Sequence, residues 1–202
     1  MKIHWIAILS GALSPCLLFA SETEKQTELN PFPSCFVSTQ TVLLADGMSF
    51  RRTVTRKDDK VRIESGLDKD AYVILDISKR KVTTVLGKTK KFFSVGYTPY
   101  TNYDLMMDDT FLFFGDNQFV AAGKEMLTGK EATKFVLKPS GSEVFLLLDM
   151  KGNPLRLSSR DGATYIDWLS FNTQVEVDSG LFEVPTNYTP LSLPNLNTNS
   201  IP

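Results

Sequence analysis

Residues 48–86 read MSFRRTVTRKDDKVRIESGLDKDAYVILDISKRKVTTVL, and the fold is decided here. Met48 to Arg56 and Lys60 to Ser65 are β-rich runs on either side of Lys57-Asp58-Asp59, which predicts a hairpin. Ala71 to Ile77 and Lys81 to Leu86 flank Ser78-Lys79-Arg80 and predict a second. No helical crossover separates one strand from the next, so the pairing is antiparallel. Strand alternation puts Val73, Leu75 and Ile77 on one sheet face and Tyr72, Ile74 and Asp76 on the other.

The pattern extends in both directions. Upstream, Phe36 to Leu44 closes on the turn signal Asp46-Gly47; downstream, Lys90 to Val95 ends at Gly96. Further runs follow at Gln118–Leu127, Thr133–Lys138, Glu143–Met150, Leu155–Ser159, Thr164–Phe171 and Gln174–Phe182. Gly129-Lys130, Ser140-Gly141, Lys151-Gly152-Asn153 and Asp161-Gly162 punctuate them as turns. About eleven strands without a linker predict one mainly β domain over residues 36–188. The meander breaks once: Tyr97 to Asn117 lacks alternation, is rich in aromatic and Met residues and predicts a short helix or two helical turns in a long loop.

Met1 to Ala20 has the order of a secretory signal peptide: basic Lys2, an apolar stretch from Trp5, then Leu18-Phe19-Ala20 before polar Ser21-Glu22. Leu13-Ser14-Pro15-Cys16 offers a rival route through a lipidated Cys16, with proline where a small residue belongs. Residues 21–35 form a polar, Pro-rich segment, and 189–202 an extended or disordered tail. The expected location is the periplasm after cleavage, with secretion second, and no integral membrane span.

Composition excludes much chemistry. The 22 Lys and Arg balance 23 Asp and Glu, which argues against a nucleic-acid binder. The single histidine, His4, lies in the leader, so the exported chain has no Ser-His-Asp or Cys-His catalysis and no histidine metal site. No catalytic residues, metal or cofactor are expected, and Cys35 reads as a small buried hydrophobe. Asp108-Asp109 reads as helix-capping or solvated, and Asp68-Lys69-Asp70 lacks the glycine and terminal Glu of a calcium loop. Arg51-Arg52, Arg56-Lys57 and Lys88 to Lys91 read as a solvated sheet face or as contacts for anionic headgroups or a protein partner.

Further stretches carry a resemblance. Lys60-Val61-Arg62-Ile63-Glu64, Tyr72-Val73-Ile74-Leu75-Asp76, Lys90-Lys91-Phe92-Phe93, Gly152-Asn153-Pro154-Leu155-Arg156 and the closing Leu181-Phe182-Glu183-Val184-Pro185-Thr186-Asn187-Tyr188 together resemble the LolA/LolB-like superfamily of periplasmic lipoprotein-sorting factors. The resemblance spans about Phe36 to Tyr188. It implies a single curved antiparallel sheet, an incomplete β-barrel, with helices plugging its concave face and an apolar cavity between. In the carriers an Arg-Pro pair helps to hold the lid closed; this chain has Lys57-Asp58 at the matching position.

The physics of such a sheet points to the same place. A sheet that curls without closing has an apolar concave face that needs cover. Val73, Leu75, Ile77, Phe135, Leu137, Leu146 and Leu148 are the expected cavity wall. Leu105, Met106, Met107, Phe111, Phe113 and Phe114 are the expected lid, since unbranched methionines re-pack around varied ligands. The expected ligand is a lipid or the acyl chains of a lipoprotein, bound without catalysis. An envelope protein-interaction module with no lipid ligand is the alternative, and an enzyme without histidine is a third class.

Overall fold

A computed structural model describes residues 32–97, 119–137 and 144–191. The first stretch contains β1 (Cys35–Leu43), β2 (Ser49–Lys57), β3 (Lys60–Ser65), β4 (Ala71–Asp76), β5 (Lys81–Leu86) and β6 (Lys91–Gly96). The others contain β7 (Phe119–Leu127), β8 (Lys130–Leu137), β9 (Val144–Leu148), β10 (Pro154–Ser159), β11 (Tyr165–Asn172) and the two-residue β12 (Thr189–Pro190). All belong to one 12-stranded sheet in the order β12-β6-β5-β4-β3-β2-β1-β11-β10-β9-β8-β7. The sheet is curved and open, not closed into a barrel. The expected mainly β, antiparallel architecture is therefore the observed one, with β12 on β6 as the one parallel pair among the described residues.

The order has a simple origin. Residues joined by tight turns pair locally, which produces two meanders, β1–β6 and β7–β11. They join at a seam between β1 and β11, where Val37 faces Asn172 and Leu43 faces Tyr165. β6 and β7 lie towards opposite ends of the sheet, and the chain passes from one to the other between Tyr97 and Phe119. The helix expected in 97–117 falls almost wholly in that passage, outside the described residues, as does the leader. Among the described residues the only helical element is a 3-10 turn at Ser179–Phe182.

Two expectations change in detail. β8 begins at Lys130 rather than Thr133, because Thr128 and Gly129 both take positive φ (47° and 82°) and close a two-residue hairpin. Gln174–Phe182 is not a strand. β11 is already paired on both sides, by β1 and β10, so a strand following it has no open edge beside it. The run instead leaves the sheet and lies over its outer face as a strap.

Alternation sorts the side chains into two faces. Phe36, Val42, Val54, Val61, Leu75, Leu146, Leu157, Ile166 and Trp168 form one buried cluster on the inner face. Ile74, Val85, Val177 and Phe182 form a second on the outer face. Each fully buried Val, Leu or Phe contributes about 1.5–3 kcal/mol relative to exposure, so the inner cluster is the main source of stability.

Candidate functional site

The inner face has a dry part and a half-open part. Leu75, Leu146 and Leu148 are 0–2% exposed and belong to the packed wall. Val73 and Ile77 pack against the same cluster but stay half-buried, as do Phe50, Ile63 and Val82. Phe135 joins the cluster, and Leu137 stands opposite Phe119 and Val144 in the β8 register. The fold thus gathers Val73, Leu75, Ile77, Phe135, Leu146 and Leu148 onto one side. Leu105, Met106, Met107, Phe111, Phe113 and Phe114 lie outside the described residues.

A polar row crosses this apolar face. Gln40 on β1 stands opposite Arg52 on β2 and Trp168 on β11. Arg52 Nε donates to Gln40 Oε1 (2.7 Å), and Gln40 Nε2 donates to Ser38 Oγ (3.3 Å). Gln40 and Ser38 are fully buried. Trp168 Nε1, also buried, has no hydrogen-bond partner among the described residues. Phe32 packs near Trp168 and Phe36, with ring centroids at 6.0 and 6.4 Å, and its carbonyl accepts from Arg56 Nη1 (2.8 Å). Arg52 and Arg56 are thus built into the inner face, not onto a solvated one.

The outer face is held differently in its two halves. Over β1–β6, the strap places Val175, Val177, Phe182, Val184 and Tyr188 against Cys35, Val37, Tyr72, Ile74, Val85 and Phe92. Lys57 Nζ donates to Val177 O and Ser179 Oγ (both 2.8 Å), and Arg62 Nη1 to Leu181 O (2.8 Å). Lys57 therefore binds the strap, on the face opposite the one that a lid would cover. The Cys35 thiol, half-buried, donates to Val175 O (3.5 Å). Over β8–β11 no strap lies among the described residues. Arg156 stacks on Tyr165 and pairs with both Asp167 oxygens (2.6 and 2.7 Å), while Lys134 lies 4.0 Å over Phe145. The bonds from Asp167 raise the Arg156 pKa.

Asp76 closes the β4–β5 turn. Burial opposes its charge, but bonds from Lys60, the Lys79 backbone and Ser78 outweigh that and hold its pKa at about 2. These groups bind structure, not a reacting atom. Among the described residues no cluster of three His, Cys, Asp or Glu could hold a metal, and no helix is long and apolar enough to cross a membrane.

Comparison of the sequence with protein families and with curated proteins finds no match. Similar structures include MucB with MucA from Pseudomonas aeruginosa (13% identity, TM-score 0.45, covering 79% of this chain and 58% of that one). They also include an outer-membrane lipoprotein-sorting domain from Vibrio parahaemolyticus (12% identity, TM-score 0.41, covering 73% and 88%). A DUF1329 family protein from Desulfovibrio piger is a third (11% identity, TM-score 0.42, covering 76% and 91%). The chain spans 57% to 60% of the length of the MucB chains it matches. The single curved antiparallel sheet, open rather than closed into a barrel, agrees with the architecture that the sequence resemblance implies.

Sequence reasoning missed the polar row. Its signal was present in FVSTQTVLL: Ser38 and Gln40 occupy the same alternating face as Phe36 and Val42, where only apolar residues belong in an ordinary core.

Proposed function

We propose that this chain is a non-enzymatic, exported envelope protein whose inner sheet face binds an acyl chain. The observation that carries the reading is the half-buried inner stripe of Phe50, Ile63, Val73, Ile77 and Val82, continuous with the packed wall. An acyl chain laid on such a stripe gains about 0.8 kcal/mol per buried methylene, so no special polar group is needed for affinity. The leader at Met1–Ala20 supports export to the periplasm, where such a carrier meets lipids or acylated lipoproteins. Leu105, Met106, Met107, Phe111, Phe113 and Phe114 remain the proposed cover of the ligand.

The test is native mass spectrometry of the protein purified from its host envelope, followed by titration with a fluorescent acyl probe. Co-purified lipid and saturable probe binding support the reading. Met107→Ala or Phe113→Ala is expected to weaken the probe with little change in melting temperature, while Leu75→Ala lowers the melting temperature. A clean apo mass with no probe binding would replace the carrier by an envelope protein-interaction module.

A further inference from the structure

One donor on the inner face has no acceptor among the described residues. Trp168 is 8% exposed, and its Nε1–H meets no acceptor. Buried polar hydrogens of this kind nearly always find a partner, because leaving one unpaired is destabilising. A phenylalanine at this position would give the same apolar ring without that penalty.

Its surroundings favour an oxygen. In the cross-strand row, Gln40 is the next side chain and Arg52 the one after. The Gln40 amide is oriented by Arg52 Nε, which donates to its oxygen, and by Ser38 Oγ, which takes one of its two amide hydrogens. Two neutral donors and a guanidinium therefore lie side by side. Beside them on the same face lie the apolar residues Val42, Phe50, Val54 and Ile63 together with polar Ser38 and Ser65. A purely hydrocarbon ligand would make no use of this row, whereas an acyl chain has an oxygen at one end and methylenes along the rest.

We infer that the Trp168–Gln40–Arg52 row is the binding position for the carbonyl or carboxylate oxygen of an acyl chain, with Trp168 Nε1–H as its donor. The inference rests on the carrier reading and deepens it, from an apolar chain to an acyl group with its oxygen at a fixed place.

The experiment uses the exported protein and three ligands: N-phenyl-1-naphthylamine, which is apolar and lacks a carbonyl, palmitate, and methyl palmitate. Trp168→Phe keeps an aromatic ring and removes the N–H. It is expected to weaken palmitate and methyl palmitate about tenfold and to leave the naphthylamine unchanged. Weakening of palmitate alone assigns the row to a free carboxylate; weakening of both assigns it to the carbonyl shared with esters. A second measurement needs no variant. The chain has two tryptophans, and Trp5 lies in the leader, so the emission of the exported protein reports Trp168. 2-Bromopalmitate is expected to quench it more strongly than 16-bromohexadecanoate. If Trp168→Phe binds all three ligands like the wild type, or if the quenching order is reversed, this inference is overturned while the carrier reading stands. Wild type that binds neither probe nor palmitate overturns both.

Discussion

The two halves of the outer face solve the same problem with different means. Over β1–β6 the chain covers its own back with the strap, burying Val177 and Phe182 against Ile74 and Val85. Over β8–β11 the sheet covers itself: Arg156 lies on Tyr165, Lys134 on Phe145, and long aliphatic stems shield the strands below. The first half thus depends on apolar burial by a segment remote in sequence, the second on neighbours across adjacent strands. Stability in the strap half should respond to cavities, and stability in the self-covered half to charge and salt.

The strongest way to break this contrast is Phe182→Ala. A buried Phe of this kind is worth about 3 kcal/mol, which lowers the melting temperature by about 8 °C in a domain of this size. Calorimetry checks it; a shift below about 2 °C would mean that the strap is ornamental. Asp76→Asn comes next. The folded pKa of about 2 lies below the ordinary 3.8, so Asp76 stabilises the fold above about pH 4, and that contribution is lost as pH falls towards 2. The variant should be less stable by about 1–2 kcal/mol at pH 7, the pKa displacement being discounted for screening at the turn, with the gap closing near pH 2. Urea midpoints at both pH values measure this. Lys57→Met removes two hydrogen bonds to the strap and should cost about 1 kcal/mol, read also as faster proteolysis within residues 173–188. Smallest is Lys134→Met, which loses the contact with Phe145 and an exposed ion pair with Glu125. About 0.5 kcal/mol is expected, and less in high salt.

The same contrast explains what could be read from the sequence. The hairpins β2–β3 and β4–β5 were legible at once, because turn chemistry and alternation are local. The fate of Gln174–Phe182 was not: its valines alternate like a strand, and only the occupied edges of β11 send it onto the outer face. The inner-face placement of Val73, Leu75 and Leu146 was legible from period two alone. The row of Gln40, Arg52 and Trp168 was not, because three strands supply it and the seam sets its register. A bulge there pairs Thr39 with Ser170 and Gln40 with Trp168, leaving Leu169 unpaired and 53% exposed. That extra residue shifts the parity of β11, so Trp168 and Phe171 share the inner face despite odd spacing.

The seam also sets the order in which the molecule can form. β1 and β11 are neighbours in the sheet but stand more than a hundred residues apart in the chain, whereas nearly every other pair forms between consecutive strands. Each meander can therefore condense quickly from local contacts, and the closure of one on the other is the slow, entropically costly step. Until residue 172 has emerged, β1 presents an unpaired edge of nine residues, FVSTQTV at its centre, with Phe36 and Val42 still uncovered. That nascent edge, rather than any part of the finished surface, is where aggregation during biogenesis should begin.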